Sequence, residues 1–465
     1  MTKQLTLQQL HTAVHAALRA WGDLAGADLL TNLQIVQQER ARAASDSPTV
    51  HRLTTNQVLL EGIQILQKQD PVEAKILSMR FMDDETVLIV ANRLNLSEDQ
   101  IKRRQRDAIH HLTQILWEQE TAVRQQQAHT LEAQLLPASY DQLFGVRERL
   151  DELGQYLFDP DGPGVIALVG IGGIGKTSLA DAAVRQAIAQ FAYQEIVWLR
   201  VNPDDVGPDH DPGFTADQVL TGLAEKLCPH AAPQNRSTGL RQALKTMPTL
   251  VVIDNLESAA DTAFMLEMLQ DLAIPSKFLL TTRVRLPAAA SVHNIFLDEL
   301  SAAAAADLVR HQAKLINLPD LTQAPEALIA QIYAVTGGNP LAIKLVVGLT
   351  AVLPLPQILA DLTAAQTSEI EAMYRHIYWQ AWHSLSENAQ ILLEMMPMAA
   401  GTGVKPEQML AMSDLSPNQL WPAVAELVNR SLLEARGTAW ERRYGIHRLT
   451  ESFLRTEIIH WPDSP

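Results

Sequence analysis

Up to about Glu120, apolar residues recur at three- and four-residue spacing with no alternating stretch, a pattern that predicts helices throughout the N-terminal region. Gln125–Gln134 is polar and glutamine-rich, and around Pro137 it gives way to a linker that marks a first boundary. From Leu143 the rhythm changes. Short apolar runs at Val165–Val169, Ile196–Val201, Leu250–Ile253, Phe278–Thr281 and Ile295–Leu297 alternate with helix-length segments, which predicts an open, largely parallel α/β sheet. Pro203, Pro208 and Pro212 among aspartates predict a surface loop over Asn202–Thr215. After Ser301 the pattern is helical again, through Thr336-Gly337-Gly338-Asn339-Pro340 and into a distinct final unit after about Ser368. No repeat at solenoid or propeller period is visible.

A chain of 465 residues exceeds one hydrophobic core, and the usual domain size suggests roughly three or four packed units. With 47% apolar and 19% charged residues it should fold. Its net charge of −16 repels polyanions overall, so contact with nucleic acid requires a local basic patch. A single cysteine, Cys228, forms no intramolecular disulfide and supplies no cysteine-based metal site, which fits a reducing cytosol; it reads as a small buried hydrophobe. The N-terminus lacks a secretory pattern, and the longest apolar candidate, near Val346–Leu355, is interrupted by Pro354. The expectation is a cytoplasmic protein with no membrane partner.

Gly170-Ile171-Gly172-Gly173-Ile174-Gly175-Lys176-Thr177 fits the phosphate-loop pattern G-x-x-x-x-G-K-[ST], with strand Val165–Val169 before it and a helix beginning near Thr177. Glycines let backbone N–H groups, with those of Ile174 and Ser178, converge on phosphate oxygens. Lys176 reaches the β- and γ-phosphates, and the Thr177 hydroxyl ligates Mg²⁺. The second protein oxygen for that ion comes from Asp254, which ends the apolar run Thr249–Ile253. Asn255 follows where a second acid would activate water, so any ATPase activity should be slow. Arg283, at the end of Phe278-Leu279-Leu280-Thr281-Thr282, is placed to sense a γ-phosphate.

This order of motifs resembles the NB-ARC branch of the STAND ATPases (the AP-ATPase family), over about Leu143 to Ile458. Leu143-Phe144-Gly145-Val146-Arg147-Glu148-Arg149 is similar to the family's entry motif, and the resemblance implies that Arg147 lies by the adenine. Gly337-Gly338-Asn339-Pro340-Leu341 is similar to its G-x-P motif, which implies that Pro340 packs on the adenine. Tyr444-Gly445-Ile446-His447-Arg448-Leu449 resembles the histidine motif of its winged-helix domain, implying that His447 contacts the β-phosphate of ADP. The resemblance further implies a switch: ADP holds the chain closed, and ATP opens it to expose a surface for a protein partner or self-assembly. Family members usually end in a sensing repeat array. None follows the histidine motif here, which implies a separate sensor protein or a sensing role for the N-terminal helices.

In the N-terminal region, Asp70–Leu116 resembles region 4 of sigma-70-type factors, with Thr86–Leu94 and Glu98–Leu112 as the two helices of a helix-turn-helix and Asn95-Leu96-Ser97 as the turn. In that reading Lys102, Arg103, Arg104 and Arg106 face DNA. Between Glu73 and Asp107, however, seven acidic residues (73, 83, 84, 85, 98, 99, 107) balance seven basic ones (75, 80, 93, 102, 103, 104, 106). Recruitment of a protein effector by the same helices is therefore the competing expectation.

The expected architecture is multidomain, an α/β P-loop NTPase with a parallel sheet flanked by all-α units. Its segments are 1–65, helical; 66–125, helix-turn-helix; 126–142, linker; 143–300, the NTPase core; 301–365, a helical domain; and 366–465, a winged helix. Two outputs stay open: a transcriptional or signalling switch acting through DNA, and a defence or signalling ATPase acting through a protein effector.

Overall fold

The computed structural model describes all residues except 1–5, 24–29, 32, 43–46, 202–211, 230–234, 257–258, 288–291, 365–369, 400–402, 439 and 460–465. Most of the expected loop at 202–215 and the expected boundary at residue 366 thus lie outside the described residues, although a helix already begins at Pro212. The chain divides into two units: Met1–Glu132 with Ile188–Ala192, and Ala133–Ala187 with Tyr193–Pro465.

The first unit is helical among its described residues: α1 (Leu7–Arg19), α2 (Gln34–Arg42), α3 (Pro48–Gln69), α4 (Pro71–Leu77), a π-helical turn (Ser78–Met82), α5 (Val87–Leu94) and α6 (Glu98–Gln134). Leu10, Val14, Leu59, Leu66, Leu112 and Leu116 meet in one core, and a smaller cluster of Ile76, Met79, Val90, Ala91 and Ile101 ties α4, α5 and the start of α6 together. Between α5 and α6, Asn95 takes a left-handed conformation (φ 53°), which short polar side chains tolerate. Ser97 then caps α6 reciprocally: Gln100 N donates to Ser97 Oγ at 3.3 Å, and Ser97 N donates to Gln100 Oε1 at 2.9 Å.

α6 does not stop at Leu112. It runs 37 residues to Gln134, so the stretch expected to be linker from residue 126 is helical up to Gln134. No glycine or proline interrupts Glu98–Gln134, and a buried pair at one-turn spacing, Glu120 and Arg124 at 2.5 Å, supports its middle. The Glu120 carboxylate also accepts from the Gln34 and Ile35 amides at 3.0 and 3.1 Å, capping the start of α2.

The second unit begins with α7 (Arg147–Phe158), β1 (Val165–Val169), α8 (Lys176–Ala189), β2 (Glu195–Arg200), α9 (Pro212–Leu227), α10 (Arg236–Thr246), β3 (Thr249–Leu256), α11 (Ala259–Leu272), β4 (Lys277–Thr282) and β5 (Val292–Phe296). The five strands form one parallel sheet in the order β2-β3-β4-β1-β5. β1 and β4 are buried along their whole length, which is why they read as unbroken apolar runs rather than alternating ones. The register sets Thr281 beside Leu168, Leu280 beside Ile253, and Arg200 beside Asp254. The chain ends that carry chemistry therefore emerge together at the carboxyl edge of the sheet.

The remainder of this unit holds α12 (Ala302–Leu315), α13 (Pro319–Thr322), α14 (Glu326–Thr336), α15 (Pro340–Leu349), α16 (Leu355–Ala364), α17 (Ile370–His383), α18 (Glu387–Met395), α19 (Pro406–Ser413), α20 (Pro417–Asn429), an antiparallel hairpin of β6 (Glu434–Gly437) and β7 (Arg442–Gly445), and α21 (Arg448–Phe453). Val404 bridges to Tyr444 beside that hairpin. All these helices share one continuous core with α15 at its centre, whose Ile343, Val346 and Val347 are fully buried. No helix among the described residues is long and apolar enough to cross a membrane.

The packing of α15 gives a test in which two effects oppose each other. A Cβ on Gly348 would stand 2.8 Å from the backbone of Arg430, whose guanidinium is fixed to the Ser384 carbonyl at 2.8 Å. Helix propensity alone predicts that Gly348→Ala stabilises by about 1 kcal/mol. Overpacking against backbone predicts a loss of about 1–3 kcal/mol. Thermal melting should show the variant unfolding several degrees lower; a higher midpoint would mean that the two helices are not in contact as described.

Candidate nucleotide-binding site

The site is built on the turn between β1 and α8. Gly173 and Gly175 adopt φ of +73° and +100°, a region that side chains rarely enter. A Cβ on Gly173 would also lie 2.6 Å from the Tyr374 hydroxyl and 2.9 Å from Leu341 Cβ, whereas one on Gly175 would meet nothing within 4 Å. Gly173 is thus required by close packing on the outside of the loop, and Gly175 faces open space. Lys176 folds back over the loop, its ammonium donating to the Gly170 and Ile171 carbonyls at 2.7 and 2.9 Å. Ser178 is on the cavity wall, while the Ile174 side chain is buried behind the loop.

Two strands away across the sheet, Asp254 is 3% exposed and its Oδ1 accepts from Thr177 Oγ1 at 2.9 Å and from Thr281 Oγ1 at 2.6 Å. A hydroxyl and a carboxylate joined at the first turn of the phosphate-loop helix are oxygen donors suited to Mg²⁺. Asn255 (φ 77°) is turned the other way: its amide N–H donates to Thr281 Oγ1 and its side chain to the Val201 carbonyl, both at 2.8 Å. Arg283 follows β4 with Nη2 3.2 Å from where a Gly172 Cβ would be.

Three elements far along the chain close on the same loop. Asn339 caps α15 through its side-chain oxygen, which accepts from the Leu341 amide at 3.0 Å, while its Nδ2 donates to the Gly172 carbonyl at 3.1 Å. Tyr374, on α17, reaches the same carbonyl at 3.5 Å, and burial raises the pKa of its phenol well above the usual range, so the hydroxyl stays a donor. His447 caps α21, with the Leu449 amide donating to Nδ1 at 3.1 Å, and the Leu449 side chain comes within 3.5 Å of the Gly172 Cβ position. Since Nδ1 accepts, the neutral ring carries its proton on Nε2.

Burial pushes the His447 pKa down to about 4, opposed by Glu434 and reinforced by Arg200, Lys344 and Arg436. The imidazole is therefore neutral at ordinary pH. Burial also works against ionisation of Glu434, but Arg436 and Lys344 outweigh it and hold that carboxylate below its usual range.

Most of these groups border one cavity of about 1300 Å³, ample for a nucleotide. Gly172, Gly173, Gly175, Lys176, Thr177, Ser178, Asp254, Arg283, Pro340 and His447 are on its wall; Gly170, Ile174 and Arg147 are not. Arg147 instead opens α7, and Phe144, three residues earlier, lines the cavity with its ring 5.2 Å from that of His311. The segment before Phe144 is strapped to two helices: Tyr140 donates to Asp181 on α8 at 2.8 Å, and Asp141 pairs with His311 on α12 at 2.9 Å. Lys344, Glu434, Arg436 and Arg200 also border the cavity, and nothing local in their sequence marks them.

In the first unit, Lys102, Arg103 and Arg106 are exposed on α6, Arg104 is half-buried, and Lys102 lies 3.8 Å from Asp99. Leu88 and Ile89 on α5 are 55% and 43% exposed.

Residues 146–296 match the model of the NB-ARC domain, and residues 65–114 that of sigma-70, region 4. The chain is 27% identical over 334 residues to regulatory protein AfsR of Streptomyces griseus, covering 69% of this chain and 33% of that protein. To regulatory protein AfsR of Streptomyces coelicolor it is 25% identical over 401 residues, covering 80% and 38%. It thus spans well under half the length of these curated relatives. Among solved structures it is similar to a STAND protein with a tetratricopeptide repeat sensor from Pyrococcus horikoshii, at 20% identity and a TM-score of 0.44, over 68% of this chain and 43% of that one. The family matches identify an NB-ARC domain over residues 146–296, with a sigma-70 region 4 segment on its N-terminal side.

Proposed function

We propose that the chain is a nucleotide-operated regulatory switch that binds ATP and ADP with Mg²⁺ and signals through its N-terminal helices. The observation that carries this is the hydrogen bond between Thr177 and Asp254 under a phosphate loop whose Gly172 carbonyl is held by Asn339 and Tyr374. Thr177 and Asp254 would hold Mg²⁺, which offsets the phosphate charge when bound. Lys176 supplies a cation, and Arg283 is placed to meet a terminal phosphate. The neutral His447 offers its Nε2 proton to a β-phosphate oxygen, and Pro340 offers an apolar face for the base. Helices α18–α20, the β6–β7 hairpin and the Val404–Tyr444 bridge support reading residues 366–465 as a winged helix that closes on the nucleotide.

In this reading ADP stabilises the arrangement in which three elements converge on the phosphate loop, and ATP favours their separation, freeing a surface for self-assembly or a protein partner. Nucleotide acts this way only if the two arrangements bind ADP and ATP with different affinity. Regulatory proteins among the relatives support a DNA-directed output through Lys102, Arg103 and Arg106. A second reading, recruitment of a protein effector, is favoured by exposed Leu88 and Ile89 and by the local balance of charge.

Three outcomes are expected. Denaturing the purified chain should release bound ADP at close to one equivalent, and Lys176→Ala should weaken nucleotide binding by about 10- to 100-fold, as expected when a charge-assisted hydrogen bond is removed. No Lys176-dependent binding of either nucleotide would end the reading.

For the output, affinity for a mixed-sequence duplex should fall with salt, and replacing Lys102, Arg103 and Arg106 with glutamine should flatten the logarithmic slope by about 0.9 for each phosphate no longer neutralised. An unchanged slope, with an effector interaction sensitive to Leu88→Ser, would favour the second reading.

The third outcome concerns pH. His447 in the unfolded chain takes a proton near its ordinary value of 6.5, but the folded protein resists until about 4. Between those values the unfolded state binds more protons, so the stability tied to neutral His447 is complete above 6.5 and drains away as pH falls. Wild type should therefore lose more thermal stability than His447→Gln as pH drops from about 7 to about 5; parallel curves would place the imidazole in solvent.

A further inference from the structure

Five carboxylates border the cavity. Asp254 is bonded to two threonine hydroxyls, Asp181 to Tyr140 and Arg185, Asp141 to His311, and Glu195 accepts from the Ile196 amide. Glu434, on β6, pairs with Arg436, its Oε2 lying 2.5 Å from Arg436 Nη2, and Lys344 of α15 borders the same cavity. Its side chain remains 26% exposed, so the charge is presented to the cavity rather than sealed behind it.

The position is on the phosphate side. His447, which interacts with Glu434, begins the helix whose Leu449 abuts Gly172 of the phosphate loop. Lys344 sits one turn beyond Leu341, which abuts Gly173. Cations gathered beside a phosphate loop attract every added phosphate, and their charge alone would favour a triphosphate over a diphosphate. A carboxylate already seated among them acts in the opposite sense, because a further anionic group must meet it at short range or displace it.

We propose that Glu434 sets the nucleotide preference of the converged arrangement, its carboxylate, paired with Arg436 in the cavity that Lys344 also borders, occupying the charge position that a third phosphate would otherwise satisfy. This rests on the nucleotide-switch reading and deepens it. A diphosphate leaves the Glu434 interactions intact. A triphosphate sets its terminal charge against Glu434, and relief comes when β6 moves away from α15, so the residue that disfavours triphosphate also couples it to movement of the hairpin.

The test titrates the full chain with the Mg²⁺ complexes of ADP and of a non-hydrolysable ATP analogue. Glu434→Gln keeps the shape and removes the charge; the preference for diphosphate over triphosphate should shrink by about tenfold, mostly through tighter triphosphate binding. Arg436→Gln, which leaves the carboxylate in place with less cation to offset it, should move the ratio the other way. An unchanged ratio in Glu434→Gln, equal loss of both affinities, or movement of both variants in the same direction overturns the proposal while leaving nucleotide binding intact. If the wild type shows no Lys176-dependent binding, the switch reading fails and this inference fails with it.

Discussion

The Gly172 carbonyl is the point on which the second unit turns. A phosphate loop works by aiming its N–H groups inward, which leaves its carbonyls facing outward and in need of donors. Here one of them receives Asn339 at 3.1 Å and Tyr374 at 3.5 Å, from segments 167 and 202 residues away in sequence. The loop's shape and the positions of α15 and α17 are therefore parts of one arrangement. A phosphate that draws the loop inward acts on Asn339, which also caps α15, and on Tyr374, whose ring stacks on Tyr378 and through it on Phe453 of α21. Thr450 completes the path, its hydroxyl donating to the Tyr378 oxygen at 3.1 Å.

Charge imposes the second constraint. Arg200, Lys344, Arg436 and Arg283 come to one cavity from four different segments, and such a concentration of like charge is tolerable only with anions between them. Glu434 provides one within the chain. The neutrality of His447 belongs to the same balance: among these cations a protonated imidazole would add repulsion, whereas the neutral ring gives one directed donor without charge.

What the sequence makes legible is what is local. The phosphate loop, the strand before it and Asp254 at the end of an apolar run all declare themselves within a few residues, because glycine conformation and strand burial are short-range effects. Groups brought in by tertiary packing leave no such mark. Tyr374 and Lys344 look like ordinary residues of helical segments, and Glu434 like a hydrophilic residue next to a turn. Where local signals compete, the weaker one yields. The glutamine-rich stretch to Gln134 reads as a linker because it is polar, but polarity does not end a helix when glycine and proline are absent and straight-chain residues abound. The family resemblance singles out Arg147, which opens a helix off the cavity, whereas the apolar Phe144 lines it.

Under the proposed function, Asn255 would favour retention over turnover. A group that activates water at the carboxyl end of β3 has to face the phosphates with a basic atom available. Asn255 has no such atom, and its backbone runs at φ 77°, which swings the side chain toward β2, where Nδ2 is committed to the Val201 carbonyl. Its own amide is committed to Thr281, the residue that also holds Asp254. The position next to Asp254 is thus used to lock three adjacent strands into register. Replacing Asn255 with an acid would unmake the hydrogen bond to Val201 before it could supply a base, so the geometry that orders the carboxyl edge of the sheet is itself an obstacle to fast hydrolysis. In the proposed switch, a nucleotide held rather than consumed would let its identity, diphosphate or triphosphate, persist long enough to be read by the elements gathered on Gly172.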